Sequence, residues 1–507
     1  MTALDAGRGL RTSGNLPRRR SDRAGGVSAM AEKGLPLLAA AFLISLAFPM
    51  FFTVSGLQLL PYRVVLLLAF VPMALRLLSG QAGGLKLHDG LLIAAVAWQC
   101  LAFLLNHGPS IIPGAGMQVV EVLGAWMLGR VAIRTAADFR LMVRILFAMV
   151  VVLAPFAMLE AVTKRPYLLE MLPMTGRPVW APERFGLRRA QAVFSHPILY
   201  GVFVSATLGM VWYALNPVSG FLGRAVRAAI IFFAVFSSLS AGAIVAFVIQ
   251  AALIAWEIMT RPNPNRWRTF AWLVGGTYVL LDILSNRNPF HLLVDYATFS
   301  PGASYNRILI WRYGTDVVWA NPVFGIGRND WARPFWMGDS VDNFWLLNAM
   351  QFGLPGLVLL AAAFFTLMRA VVRSRIDDPT EWACRAGWLT SLGGVIIAGG
   401  TVHYWTTMLS FVVFLFAAGS WLVREPPGTG PDGPASRRGG HGKRSPDPQP
   451  SRRAGKAPPS DVPFPLGAES GKGDQPSRGP QNPARLHDPK PPRHLKPSAP
   501  RPRPSAR

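Results

Sequence analysis

The sequence predicts an all-α polytopic integral membrane protein with about 12 transmembrane helices and a large periplasmic loop that contains short helices. Two observations carry this prediction. Apolar runs that are long enough, as helices, to cross the ~30 Å hydrocarbon core of a bilayer recur from Gly34 to Val423. Charged residues make up only 15% of the 507 residues, whereas soluble proteins usually carry about a quarter.

Each predicted helix is an apolar run that ends at polar or turn-forming residues. The twelve runs are Gly34 to Phe52, Leu57 to Leu78, Gly90 to Leu105, Met117 to Ile133, Leu141 to Val162, Phe194 to Leu215, Arg224 to Leu239, Ala241 to Ile258, Trp267 to Leu284, Phe344 to Val372, Cys384 to Gly400 and Tyr404 to Val423. The two runs that meet at Ser240 could be separate spans or one long broken helix.

The basic residues between the runs predict the orientation. Counted from a cytoplasmic N-terminus, every inner connection carries arginine or lysine. The short outer connections around Thr53, Asn106 to Gly116, Ser240 and Val402 carry neither. The positive-inside rule therefore predicts that both termini are cytoplasmic.

The two ends of the chain differ from the apolar domain, residues 34–423. Residues 1–33 hold seven basic and three acidic side chains, and residues 424–507 hold 17 and seven, giving charges of +4 and +10. We expect a basic cytoplasmic extension that contacts membrane lipid, with no cleaved leader, and a disordered tail that contains 21 of the 43 prolines. The tail lacks the interleaved aromatic residues that nucleic-acid binding needs, so no nucleic acid is expected as a partner.

Two outer loops, at about residues 163–193 and 285–343, depart from the charge pattern because they are rich in arginine. The first contains six basic and two acidic residues. Positive charge on the outer face opposes the orientation signal, so it suggests that the loops bind an anionic ligand. The alternative is pairing with acidic residues of the same loops, which are Glu170, Glu183, Asp295, Asp316, Asp330 and Asp339.

The second loop contains a predicted short helix from Ser304 to Ala320. Ser304 is a suitable N-cap, and Asn321 followed by Pro322 is a stop signal. Arg307 would then lie in the first turn, where free N–H groups, the helix dipole and a guanidinium together favour a phosphate. An ordinary surface arginine is the alternative.

Two glycine motifs follow this helix. The first is the Pro-x-x-Gly-x-Gly turn from Pro322 to Gly327, and the second is Gly353 to Gly356, nine residues after the polar pair Asp342 and Asn343. This arrangement resembles the family of O-antigen ligases and Wzy-type polymerases of bacterial envelopes. The segment from Arg189 to Pro197 resembles that family's other signature.

The resemblance implies a glycosyltransferase of the bacterial inner membrane that works without a metal or other cofactor. Such an enzyme transfers or polymerises undecaprenyl-diphosphate-linked glycan units on the periplasmic face, in O-antigen, lipopolysaccharide or exopolysaccharide biosynthesis. Its partners would be the lipid-linked donor, a glycan or lipid acceptor, and proteins of polysaccharide export or chain-length control.

The resemblance also assigns roles to residues. Arg189 and Arg307 match the arginines that hold the diphosphate, with Arg188 as the fallback for Arg189. Asp342 would meet the acceptor hydroxyl, and Arg312, Asn343 and His196 are further candidates for substrate binding.

One residue departs from the family pattern. The family's ligases carry a histidine where this sequence has Asp342, and a carboxylate is a weaker base than an imidazole at neutral pH. This favours a polymerase over a ligase that transfers glycan to lipid A core.

Two further polar residues have alternative interpretations. His403 could contact the substrate or be a satisfied residue at the membrane interface. Glu121 lies inside a predicted span, and we expect it to have a partner within the bundle.

Two other classes of protein compete with the enzyme. A transporter or flippase of lipid-linked sugars would place charges in midplane cavities and show repeat symmetry, and the sequence shows neither. A structural subunit of an export complex would not need Arg189, Arg307 or Asp342.

The topology prediction can be tested by cysteine labelling after Cys100 and Cys384 have been replaced. Single cysteines at Gly176 and Gly302 should react with an impermeant reagent in spheroplasts, because both loops are expected outside. A cysteine at Asp377 should not react. The reverse pattern would overturn the orientation.

Overall fold

The computed structural model describes residues 36–54, 57–172, 183–215, 220–284 and 301–424. The chain divides into two units, Met1–Ser436 and Arg437–Arg507, and all described residues lie in the first. The N-terminal extension, nearly all of the tail, and parts of both basic loops (173–182 and 285–300) lie outside the described residues, so the expectations for them stay predictions.

Helices make up almost all of the regular structure. In chain order they are α1 Pro36–Ser45, α2 Pro61–Leu78, α3 Leu87–His107, α4 Ile112–Val119, α5 Ala125–Ala132, α6 Ala136–Thr163, α7 Tyr167–Met171, α8 Pro197–Ser205, α9 Leu208–Ala214, α10 Phe221–Ser237, α11 Ala241–Met259, α12 Arg266–Leu284, α13 Pro301–Ala320, α14 Phe344–Arg373, α15 Pro379–Ala398 and α16 Thr407–Ala417. A π-helical turn, Val120–Gly124, joins α4 to α5.

The helices confirm an all-α polytopic membrane protein. Within the described residues, six helical segments are long and apolar enough to cross a bilayer: Pro61–Leu78, Leu87–Ala132, Ala136–Thr163, Pro197–Ala214, Ala241–Met259 and Phe344–Arg373. Each of the twelve predicted runs contains a helix, but several of these helices are shorter than a span. The number of crossings therefore stays a prediction.

Some local features differ from the sequence prediction. Phe52–Val54 and Leu57–Leu59 form a small antiparallel hairpin in place of a plain helix-to-helix loop. The break between α10 and α11, at Leu239 with a φ of 45°, instead agrees with the two separate runs predicted there. The run from Phe194 to Leu215 is two short helices, α8 and α9. Apolar periodicity does not register such breaks.

Small residues allow the helices of the bundle to pack closely, as is usual inside membranes. Gly129 of α5 faces Phe414 of α16, where an added Cβ would lie 2.6 Å from the Phe414 carbonyl oxygen. Gly209 of α9 and Gly387 of α15 form a second close contact. Large aromatic side chains such as Trp126 and Trp388 fill the core between these contacts.

The turn from Asn321 to Gly327 docks into a break in helix α14. Gly353 interrupts the helix with φ 72° and ψ −179°, which leaves backbone groups on both sides without helical partners. The turn supplies them: Ile326 N donates to Met350 O at 2.8 Å, Gly327 N to Gln351 O at 3.0 Å, and Leu354 N to Pro322 O at 2.7 Å. The two glycine motifs of the sequence are therefore the two halves of one joint.

Replacing Gly353 by alanine should disrupt this joint. A Cβ at Gly353 would collide with the Val323 carbonyl, and a positive φ costs an L-residue about 1–2 kcal/mol by itself. We expect Gly353→Ala to lower the free energy of unfolding by more than about 2 kcal/mol, measured as a lower Tm in detergent.

Gly393→Ala is the matched control. Gly393 lies inside helix α15, and no atom lies within 4 Å of its would-be Cβ. Its Tm should stay at or slightly above that of the parent. Equal melting temperatures for the two variants would show that the joint adds nothing to stability.

Candidate active site

Helix α13 carries Arg307 into the interior of the molecule. The helix begins at Pro301, so Arg307 lies in its second turn. The expectation that Ser304 caps this helix and that Arg307 lies in the first turn is therefore wrong; Ser304 is a buried residue within the helix. Gly314 of α13 packs against Leu346 and Met350 of α14, and this contact fixes the side of the helix that Arg307 shares.

The polar pair that precedes α14 is held by the helix start. Asn343 is the N-cap, with its Oδ1 accepting from Leu346 N at 2.9 Å. Phe344 N donates to Gly399 O at 2.8 Å and to Val402 O at 3.0 Å. Asp342 is therefore held beside the connection between α15 and α16, which contains His403.

The segment from Arg184 to Pro197 is anchored by Glu160 of helix α6. Glu160 Oε2 accepts from Gln191 N at 3.3 Å and from Ala192 N at 3.0 Å, and its Oε1 pairs with Arg188 Nε at 3.4 Å. These bonds hold Ala192 at a φ of 50°, a conformation that costs a non-glycine residue free energy. The anchor turns Arg188 towards α6 and leaves Arg189 for the other side.

The structure brings Arg184, Arg189, Arg307 and Asp342 within electrostatic range of one another. Burial, together with the nearby charges of Arg184 and Arg307, lowers the pKa of Arg189 to about 10, and Asp342 opposes this shift. Burial also lowers the pKa of Arg307, with Asp342 opposing and Arg184 reinforcing the shift. We call these four residues the charge cluster; it holds three guanidiniums and one carboxylate.

Two guanidiniums of the charge cluster each have a buried nitrogen without a hydrogen-bond acceptor among the described residues. These nitrogens are Arg189 Nε and Arg307 Nη1. A buried charged donor without an acceptor is costly, so a group that accepted hydrogen bonds from these nitrogens would lower that cost. Arg307, Trp311, Asp342 and Thr401 line one small pocket at this place.

Other basic residues of the two outer loops form ion pairs with acidic residues of the same loops, which is the alternative that the sequence left open. Lys164 binds Glu183 at 2.7 Å, Arg165 binds Glu170 at 3.6 Å, and Arg333 binds Asp330. These three basic residues are committed to acids, whereas Arg189 and Arg307 of the charge cluster have no ion pair among the described residues.

Two histidines near the charge cluster, His196 and His403, both pack against the ring of Trp405. The Trp405 ring lies 5.5 Å from the His196 ring and 5.6 Å from the His403 ring, measured between centroids. Burial lowers the pKa of His196 to about 4, with Arg189 reinforcing and Asp342 opposing the shift. Burial likewise lowers the pKa of His403 to about 4, against the influence of Asp342. Both imidazoles are therefore neutral at pH 7.

The remaining residues that the sequence predicted to bind substrate make different contacts. Arg188 is committed to Glu160, and Asn343 Oδ1 to its helix cap. Arg312 is exposed and lies over the Tyr313 ring at 5.9 Å, about 140° around α13 from Arg307. The structure does not bring Arg312 into the charge cluster, and the substrate roles of these residues stay predictions.

Sequence reasoning missed Arg184 and undervalued His403. Both come from connections that are remote from the glycine motifs, and no local pattern marks them.

Glu121 has the expected partners in the bundle, because Arg63 Nε lies 2.8 Å from its Oε1 and Tyr62 donates to the same oxygen. In the described part of the chain, no group of three His, Cys, Asp or Glu side chains could hold a metal ion.

The neighbours Arg188 and Arg189 should respond oppositely to substitution by methionine. Arg188→Met leaves buried Glu160 without its cation and should lower the free energy of unfolding by about 3 kcal/mol or more. Arg189→Met removes an unpaired, repelled charge and should leave the ligand-free protein as stable as the parent or more stable. Thermal unfolding in detergent measures both, and a larger loss for Arg189→Met would contradict the assignment.

One protein-family model matches part of the chain. Residues 227–361 match the family model described as O-antigen ligase. The matched region contains Arg307, Asp342 and both glycine motifs, whereas Arg184 and Arg189 precede it. No curated protein matches the chain. Over residues 227–361, about a quarter of its length, the chain is similar to the O-antigen ligase family.

Proposed function

We propose that this protein transfers glycan from undecaprenyl diphosphate to an acceptor hydroxyl on the periplasmic face of the inner membrane, most simply as a polymerase of O-antigen or exopolysaccharide. The observation that carries the proposal is the charge cluster. Arg189 and Arg307 feel the positive charge of Arg184, and Asp342 is the acidic residue that opposes it at both. A diphosphate supplies the missing negative charge.

In the proposed reaction the acceptor oxygen attacks the anomeric carbon of the donor glycan. The bond from that carbon to the diphosphate oxygen breaks, and undecaprenyl diphosphate leaves with the electron pair. The guanidiniums stabilise the charge that grows on the leaving group. They are already in place and partly buried, so they act without a cost of reorganisation.

The acceptor proton passes to Asp342 or to the neighbouring His403. Asp342 is half-buried and accepts from Ser340 Oγ at 3.0 Å. His403 is neutral at pH 7 because its pKa is about 4, and its buried Nδ1 has no partner among the described residues. A diphosphate bound nearby would raise the basicity of the imidazole by attracting its charged form.

Transfer to lipid A core is the second candidate function. It is favoured by the family description, O-antigen ligase, and by His403, which offers the imidazole that position 342 lacks. Asp342 remains the argument for a polymerase. Purified protein given a defined undecaprenyl-diphosphate oligosaccharide should make polymer without lipid A core; a strict requirement for lipid A core would establish the ligase instead.

Alanine substitution tests the role of the arginines. Arg189→Ala and Arg307→Ala should each lower turnover by about 100- to 1000-fold, as expected when one preorganised donor to a developing charge is lost. Lysine should rescue only in part, because an ammonium cannot reproduce the guanidinium fork.

Arg165→Ala is the matched control, since Arg165 is an exposed arginine of the first loop that is paired with Glu170. Its turnover should equal that of the parent. Parental rates for correctly inserted Arg189→Ala and Arg307→Ala would refute the proposed function and favour a transporter or structural role.

The pH dependence of turnover tests the state of the histidines. A lowered pKa means that His403 stays neutral as the pH falls from 7 through about 6.5, the ordinary value, and becomes protonated only near the cited value of about 4. The kcat/KM for the donor, which reports the ligand-free enzyme, should therefore show no inflection near pH 6.5. Such an inflection, removed by His403→Gln, would show that the imidazole titrates normally.

A further inference from the structure

A cavity of about 210 Å³ lies next to the charge cluster. It is enclosed by α3, the π-helical turn, α14 and the segment from His403 to Val413. Arg328 lines it as well, with its guanidinium 4.9 Å from the Phe103 ring centroid. The cavity has room for about one sugar ring.

One wall of the cavity is a chain of side-chain amides. Gln118 Nε2 donates to Gln99 Oε1 at 2.8 Å, Gln99 Nε2 to Asn348 Oδ1 at 3.4 Å, and Asn348 Nδ2 to Phe344 O at 2.8 Å. Each amide nitrogen carries two N–H groups, so one on each remains for a ligand within the described structure. Gln351 also lines the cavity, and its side chain forms no hydrogen bond with the described residues.

The amides lie in helical segments that are apolar enough to cross a membrane, Leu87–Ala132 and Phe344–Arg373. Polar side chains there are expensive, and those that line a cavity usually mark a substrate path. The opposite surfaces are apolar and aromatic and include Trp405 and Val412. A few amides in an otherwise apolar cleft are typical of a site for a small polar ligand.

The lining residues indicate the class of ligand. No acidic residue is among the lining side chains that the structure describes, and Arg328 is the one charged side chain among them. Amides donate to and accept from hydroxyl groups, and an aromatic ring suits the C–H face of a sugar. A neutral, hydroxyl-rich ring fits these surfaces better than a phosphate or a carboxylate.

One backbone hydrogen bond links a residue near Asp342, of the charge cluster, to the residue before His403, which lines the cavity. Phe344 N donates to Val402 O at 3.0 Å, which joins the residues that follow Asp342 to the residue that precedes His403. Arg307 and Asp342 line the pocket on one side, and His403 lines the cavity. A sugar in the cavity would present a hydroxyl at the boundary, where the acceptor is needed.

We propose that the cavity lined by Gln99, Gln118, Asn348 and Gln351 is the subsite for a neutral sugar of the acceptor glycan. This inference depends on the proposed function, because the acceptor is defined by a donor bound at the charge cluster. The competing occupant is an apolar chain, such as the prenyl group, lying against Val412 and its neighbours.

The test uses the full chain in nanodiscs and three probes: the repeat-unit oligosaccharide released from the organism's own undecaprenyl-diphosphate pool, undecaprenyl diphosphate, and undecaprenol. Gln351→Leu should raise the Kd of the oligosaccharide about fivefold to tenfold, because it removes hydrogen bonds to the ligand and none within the described protein. Asn348→Leu should do at least as much. Neither variant should change the Kd of undecaprenyl diphosphate.

Gln250→Leu is the matched control. Gln250 is a buried amide of α11 that bonds to Ser205 O at 2.8 Å and does not line the cavity. It should lower Tm and leave the Kd of the oligosaccharide unchanged.

Two results would overturn the subsite. One is parental affinity for the oligosaccharide in both Gln351→Leu and Asn348→Leu. The other is competition between undecaprenol and the oligosaccharide, with undecaprenol binding more tightly to the leucine variants. Failure of undecaprenyl diphosphate to bind the parent would instead count against the proposed function.

Discussion

The hydrogen bonds between the Asn321–Gly327 turn and the broken helix at Gly353 organise the rest of the site. Ile326 and Gly327 donate to the carbonyls that the break leaves without helical partners. The turn directly follows the helix that carries Arg307, and α14 begins at Phe344, two residues after Asp342. The joint therefore relates the principal arginine to the carboxylate, which are 35 residues apart in sequence.

The charge cluster depends on a second anchor, Glu160. This carboxylate holds Arg188 and the backbone of the segment that carries Arg189. One arginine of the adjacent pair stabilises the fold, and the other is left without a partner among the described residues. On the proposed function, Arg188 serves stability and Arg189 serves binding, and an anion would relieve the repulsion among the guanidiniums.

The sequence predicted the helical membrane fold because apolar runs and basic connections are strong, local signals. It also predicted that Arg189, Arg307 and Asp342 converge, although only through a family resemblance. The hairpin at Phe52–Leu59 and the start of α13 at Pro301 were not predicted, since they depend on packing that no local pattern records. Arg184 was missed, and His403 was left between two interpretations, for the same reason: tertiary contacts alone bring them near Asp342 and the other arginines.

The central claim is that the charge cluster holds the diphosphate of a lipid-linked glycan. An experimental structure of the full chain with undecaprenyl diphosphate bound tests it most directly. The proposal predicts phosphate oxygens within hydrogen-bonding distance, about 3 Å, of Arg189 Nε and Arg307 Nη1, with Asp342 and His403 on the side of the terminal phosphate, where the anomeric carbon of the donor would be attached. A diphosphate bound elsewhere, with both guanidiniums still lacking a partner, would contradict it.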